Sequence, residues 1–541
     1  MTLREIYGRI TVRERRVAAA LTALIVIVTL LPPLWGAYQG SVRGETFNGI
    51  QFLSPGDMGV YLSQIDQARE GAWLFENRFT TETLRPTFNL FWLLVGRLAA
   101  LFGISALAAF HLTRLLLIPL LAAVAYLFIT FLFGSVRRRM TAFIVFMLGS
   151  GLGYLAEPFF RDNAPTRYRY EFPIDLWVGE ANAFLSMGYS PHFVASWALF
   201  LLCLLLLMVS WRSGRLRHAV AAGLTGLILF QFHPFHAITL YAVPAIYLLS
   251  YGFGRGRRRW SGYAIFVALS VPSVIYHYVL THYGPEAQAL VEANLNLTPA
   301  VWHLLLGFGA VSLLWIPGLQ LWQQEDREGE AWRFLLFWLV TQSLLVYAPL
   351  TFQRRLLEGL QFPLVMLSVP ALLYLWDAWS TRRRRLIYGP SVALLVMLVF
   401  LLSSFGAVAR NLQAYSTNNP PAFFFDSDTT AALDWIRTRT GPEAVFLASL
   451  NSGNFIAGWA GRRVYAGHWV NTIDLDRKEQ EIAGFYSGSD PVWNREFLDR
   501  HGITHVFMGP AERLSGDWSH DDMTFDKVYG EGEVEIYHVG R

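Results

Sequence analysis

Cysteine and lysine are almost missing from these 541 residues: Cys203 is the one cysteine, and Lys478 and Lys527 are the lysines. A lone cysteine inside an apolar run excludes a disulfide framework and reads as a small core residue. Charge is also scarce, with Asp, Glu, Lys and Arg making up 16% of the chain. Neither a low-complexity tract nor an internal repeat is visible, which excludes disordered tails and solenoid arrays. The net charge of +4 comes almost wholly from arginines that cluster between apolar blocks. Such a distribution is a topology signal, and no nucleic-acid partner is expected from it.

Apolar length is what the chain has in abundance. It is 54% hydrophobic and 15% aromatic, with mean hydropathy +0.34, and its apolar residues run in blocks instead of amphipathic stripes. Blocks of roughly 18 to 25 residues cross a hydrocarbon core of about 30 Å as helices, because in lipid only a helix or a closed barrel satisfies its own backbone. Hydropathy places about eleven such spans, near 16–38, 105–133, 139–157, 191–211, 217–233, 235–253, 260–281, 300–322, 332–350, 360–379 and 387–408. The apolar segment 86–103 is read as a helix along the outer surface, since counting it as a span would put Arg137, Arg138 and Arg139 outside. The first block follows basic residues but is long and lacks a small-residue cleavage site, so it reads as an uncleaved signal anchor.

With that assignment Arg13, Arg15, Arg16, Arg137 to Arg139, Arg212, Arg215, Arg217, Arg255, Arg257 to Arg259 and Arg382 to Arg385 all fall on one side. Positive-inside bias makes it cytoplasmic, together with the N-terminus. The opposite face carries the loops 39–104, 158–190, 282–299 and 351–359 and everything after 409. Residues 410–541 hold 12 Lys+Arg against 19 Asp+Glu, leaving 32 against 21 for residues 1–409. The expected organisation is a polytopic α-helical membrane domain, 1–409, and an extracytoplasmic α/β domain, 410–541.

Soluble patterns take over after Asn418-Asn419-Pro420-Pro421. Helices are expected at 429–439, 453–459, 475–485 and 492–500, and strands at 445–448, 463–466 and 505–508, with a hairpin of 526–529 and 533–539 around Gly530-Glu531-Gly532. Helices alternating with strands imply a small layered fold.

Chemistry is expected first at Asp57, in Gly56-Asp57-Met58-Gly59-Val60-Tyr61, beyond the first span and on the outer face. Asp57 followed by Tyr61, Gly71-Ala72-Trp73, Asn77-Arg78-Phe79, Arg85-Pro86 and Phe102-Gly103 resembles the first outer loop of the GT-C superfamily of membrane glycosyltransferases. Relatives there include the aminoarabinose transferases of lipid A and the protein O-mannosyltransferases. Arg114 takes the place of an arginine near the outer end of the second span, and Glu157, in Ala156-Glu157-Pro158-Phe159, that of a second acidic residue. The resemblance covers about residues 16–160 and is architectural beyond. Several relatives have Asp-Glu where this chain has Asp57-Met58, which leaves no paired acid there.

The resemblance implies transfer of a sugar, with inversion, from a polyprenyl-phosphate donor in the membrane lipid to a hydroxyl acceptor of the cell envelope. Such a reaction needs a base for the acceptor proton and positive groups for the leaving phosphate. Asp57 is the candidate base, against the alternative of an acidic cap on the helix that follows. Glu157 would assist, orienting acceptor or binding metal, or else snorkels from a helix end. Arg354 and Arg355, in a short outer loop, suit a phosphate by their two-point guanidinium geometry. Tyr61, Arg85, Arg114, Glu180 and His192 are the further substrate-binding candidates, while Asp162 and Asp175 read as solvated acids.

His233-Pro234-Phe235-His236 interrupts an apolar stretch, and His192, His277 and His282 share its depth. Histidines with a carboxylate can hold Zn²⁺ or Mn²⁺, but this spacing is no zinc signature, so hydrogen-bonded roles are expected and no metal ligand is assigned. The cofactor is left unknown, with a divalent metal open. Two other classes compete with the enzyme: a transporter or flippase of a lipid-linked solute, and a catalytically inactive scaffold of the same fold.

Overall fold

The computed structural model describes residues 1–52, 56–160, 173–250, 256–283, 288–289, 291–292, 294–379, 382–418, 422–488, 490–516 and 525–540, with side chains excluded at 159–160 and 379–398. Asp162 lies outside the described residues. The chain is mostly helical and forms two compact units. One consists of Met1–Pro32, His111–Tyr278 and Leu295–Arg410, the other of Pro33–Phe110, Val279–Asn294 and Asn411–Arg541.

The first unit is a helical bundle. Among the described residues, six helices have the length and composition to cross a membrane: Val12–Arg43, Ala106–Leu132, Val136–Pro158, Pro191–Ser213, Arg257–His282 and Gln353–Ala378. Val301–Phe308 and Val311–Glu325 form a pair bent by 75°, a seventh if counted as one span. The bend falls at Gly309, whose φ of 59° and ψ of −137° a side chain would oppose. All eleven apolar blocks expected from hydropathy fall on helices, but not all reach crossing length. Leu216–Phe232, His236–Leu249 and Glu330–Leu345 have 17, 14 and 16 residues, because turns at 233–235 and 346–352 cut them short.

Pro191–Ser213 and Gln353–Ala378 are the inner helices, each with 89% of its most apolar window buried, whereas Val12–Arg43 and Arg257–His282 bury 22% and 17% and leave their apolar faces open. Hydrocarbon would cover such faces. The core is an aromatic stack in which Phe362 lies 4.9 Å from Phe128 and 5.5 Å from Trp338. At one end of the bundle the loop arginines meet acids: Arg137 with Asp377, both bonds 2.7 Å, Arg138 with Glu325, 2.6 Å, and Arg259 with Glu330, 2.5 Å. Glu14 is buried there too, paired with Arg139 at 3.2 Å and accepting from the Tyr126 hydroxyl at 2.7 Å. The expected cytoplasmic arginine clusters 137–139, 212 and 257–259 thus gather at one place.

The second unit joins the first outer loop to the C-terminal region. Strand β1 (Thr46–Phe47) pairs antiparallel with β2 (Phe424–Phe425). A five-stranded sheet follows, built from β3 (Val445–Leu447), β4 (Arg463–Val464), β5 (His505–Met508), β6 (Phe525–Glu531) and β7 (Val534–Val539), in the order β4-β3-β5-β7-β6. β3 runs parallel to β4 and β5, and β7 antiparallel to β5 and β6. Alternate strand residues face opposite ways. Phe446, Val464, Phe507 and Ile536 therefore pack with Ala432, Leu433 and Ile436 of the Ser427–Arg439 helix. Leu447, Tyr465, Val506, Met508 and Tyr537 pack on the other side with Ile482, Phe485 and Phe497 of the helices Leu475–Tyr486 and Pro491–His501.

The segment expected to lie along the surface forms the helix Leu90–Phe102, 13 residues long and too short to cross. Asn89 caps its start, accepting from the Trp92 N–H at 3.2 Å, and Gly103 ends it at a φ of 64°.

Candidate functional site

Asp57 opens the helix Asp57–Arg69, and the cap position belongs to Gly56, which has no side chain to cap with. Asp57 is the first helical residue, its carboxylate in the positive field of the helix start. That helix lies close against the π-helical turn Ile456–Ala460, since a Cβ on Gly458 would stand 2.6 Å from the Gly59 Cα. Asn454 ties the junction, its amide donating to the carbonyls of Gly56 at 3.2 Å and Gly467 at 2.8 Å.

This packing brings His468 to Asp57, with Nε2 3.4 Å from Oδ1. Nδ1 of His468 accepts from the Val470 and Asn471 backbone N–H groups, each at 3.1 Å. A nitrogen that accepts those donors carries no proton, so in the neutral ring the proton sits on Nε2 and faces the carboxylate. His468 is buried, whereas the Asp57 side chain keeps 32% exposure. The imidazole thus stands beside a half-buried carboxylate. Sequence patterning does not pair His468 with Asp57, because the close approach of Gly458 to Gly59 that carries the histidine to the acid is set by the tertiary fold.

Tyr61, one turn on, stacks on Trp92 at 5.0 Å and on Phe110 at 6.0 Å, so its ring belongs to the core of this unit. Arg85 is exposed.

The other candidates lie in the helical unit. Glu157 is buried and ion-paired with Arg410. Arg114 is fully buried and donates to the carbonyls of Met187, 2.6 Å, and Thr29, 3.0 Å, so its charge staples three segments together. Glu180 is buried and pairs with Arg355 at 2.9 Å, while the Arg354 guanidinium lies 4.9 Å over the Trp177 ring. His192 is buried, its Nδ1 2.6 Å from the Ser190 hydroxyl and its ring 5.1 Å from that of His233. Asp175, expected as a solvated acid, is instead buried against the Gly153 N–H at 3.1 Å. Burial pushes its carboxyl up to about 6. Loops between apolar helices look solvated in a sequence; here 174–190 folds inward as the short helices Ile174–Trp177 and Ala183–Tyr189.

No family model matches the chain, and no curated protein matches it. Solved structures do. An oligosaccharyltransferase from Archaeoglobus fulgidus, tethered with an acceptor peptide containing the NVT sequon, is similar over 90% of this chain and 69% of that one, at 13% identity and a TM-score of 0.50. ArnT from Cupriavidus metallidurans, bound to undecaprenyl phosphate, is similar over 96% of this chain and 99% of that one, at 12% identity and a TM-score of 0.51. At such identities the likeness is one of fold: the chain shares the fold of these two solved transferases.

Proposed function

We propose that the protein is an integral membrane glycosyltransferase that moves a sugar from a polyprenyl-phosphate carrier to a hydroxyl acceptor on the outer face of the membrane. The observation that carries this reading is the Asp57 carboxylate, held at a helix start, with His468 Nε2 3.4 Å away and a third of its side chain exposed. In the reaction the acceptor oxygen attacks the anomeric carbon as Asp57 takes its proton, and the bond from that carbon to the phosphate oxygen breaks with the electrons leaving on phosphate. Direct attack with a single base gives inversion.

Arg354 is the better of the two outer arginines for the carrier phosphate, because Arg355 already serves Glu180. A guanidinium stacked on a tryptophan is held at low entropic cost and still presents its N–H edge. Glu157 enters this reading through Arg410, whose charge it fixes. The two solved structures support the reading through what they hold, undecaprenyl phosphate in one and an acceptor peptide in the other.

The test uses vesicles containing the purified full chain and a panel of undecaprenyl-phosphate sugars labelled in the sugar. A transferase moves the label from the lipid to a hydroxyl acceptor in an added envelope extract and leaves undecaprenyl phosphate behind. Movement of the intact labelled lipid across the bilayer without cleavage would make the protein a flippase instead.

A further inference from the structure

The turn that interrupts the apolar stretch after Phe232 holds an arrangement that the transferase reading does not use. His233 ends one helix, His236 begins the next, and Glu358 precedes the helix Gln361–Trp379. All three are buried, and one nitrogen or oxygen from each lies within 4.8 Å of the others. His236 Nε2 and Glu358 Oε2 stand 3.2 Å apart, yet neither atom is in a hydrogen bond, nor is His233 Nε2. Two imidazole nitrogens and a carboxylate oxygen thus share a small buried volume in which His236 Nε2 and Glu358 Oε2 pair only with each other and His233 Nε2 has no hydrogen bond, which a protein interior rarely tolerates.

We infer that His233, His236 and Glu358 bind a divalent transition-metal ion, Zn²⁺ or Mn²⁺ by their donor types. Bonds of about 2.0–2.1 Å in tetrahedral geometry put neighbouring ligand atoms ~3.3 Å apart. The His236–Glu358 pair already has that spacing, and His233 closes by rotation about its side-chain bonds. One cation gives His233 Nε2 a bond and neutralises a buried carboxylate.

The surrounding residues hold the donors as metal ligands are usually held. Ser196 donates its hydroxyl to the other Glu358 oxygen. The Gln342 amide donates to the carbonyls of Leu356, 2.6 Å, and Glu358, 2.7 Å, and is itself fixed by the Trp338 indole N–H at 2.6 Å. The His236 ring stands edge-on to Phe200 at 5.5 Å, and His192 stacks on His233. Three protein ligands leave a fourth position for water or an oxygen ligand.

The inference stands apart from the transferase reading, because metal is measured without donor or acceptor. Tag-free full-length protein in detergent is stripped with a chelator, exposed to ZnCl₂ and separated from free metal, and its zinc is counted by mass spectrometry. The expected result is about one zinc per chain, falling to background in Glu358→Gln and His236→Gln that elute as the wild type does. A wild type that retains no zinc, or variants that retain it equally, would overturn the site. Should the variants not fold, X-ray absorption on the wild type decides: a shell of imidazole nitrogen and carboxylate oxygen supports the assignment, and one without imidazole refutes it.

Discussion

Single side chains in this protein are set by their backing. Asp57 faces a histidine whose other nitrogen is occupied by a turn, so the imidazole is fixed in place and tautomer. His505 shows the opposite case: on β5, stacked 4.8 Å over Phe446 and opposite His538, it is driven down to about 4 by burial and then by the neighbouring imidazole. The unfolded chain binds a proton there below about 6.5 and the folded one only below about 4. Stability of the sheet therefore falls as pH drops across that window. His505→Phe is expected to flatten the dependence, read as the unfolding midpoint against pH; an unchanged slope would contradict it. At this scale the sequence marks Asp57, Glu180 and the histidines as polar groups beside apolar blocks. It was not legible for their pairings, since Glu358 and His236 meet only through the tertiary fold.

Elements depend on a few close contacts. The approach of Gly458 to Gly59 leaves no room for a side chain, and the obstacle is backbone that cannot rotate away. Gly458→Val should destabilise the second unit by about 1–3 kcal/mol, seen as earlier proteolysis after residue 409, while a silent variant would show that the contact is looser. A second tie is Lys478, fully buried and donating to Glu82 at 2.7 Å, to Thr80 at 3.0 Å and to the Tyr465 carbonyl at 3.0 Å. Lys478→Met strands the Glu82 carboxylate and should cost about 3 kcal/mol, much of it regained in the double variant with Glu82→Gln. Additive losses in that cycle would deny the coupling.

Helices and strands of the C-terminal region were largely readable, His505–Met508 to the residue, because caps, turn residues and alternating burial agree there. Asp490 before Pro491 is one such signal, accepting from the Val492 and Trp493 N–H groups. The start of the helix expected at 453–459 was missed: it begins at Leu450 under the Ser449 cap and widens into a π-helical turn that composition does not mark.

For the whole molecule, hydropathy announced a helical bundle, and Arg137, Arg138 and Arg259 of the arginine-rich turns pair there with Asp377, Glu325 and Glu330. The short helices Leu216–Phe232 and His236–Leu249 escaped that reading, since a hydropathy window cannot see where a turn such as His233-Pro234-Phe235 takes residues from each side. Nor did the sequence reveal that residues 33–110 and 411–541 belong to one unit, because nothing local marks β1 as the partner of β2.

The account turns on Asp57 as a base. The measurement that bears most directly on it is the rate of sugar transfer from a labelled undecaprenyl-phosphate donor by reconstituted Asp57→Asn, at saturating donor, beside wild type of equal thermal stability. Loss of a general base predicts a fall of about 10² to 10⁴-fold in that rate, with donor binding retained. A variant that transfers sugar as fast as the wild type would contradict the account.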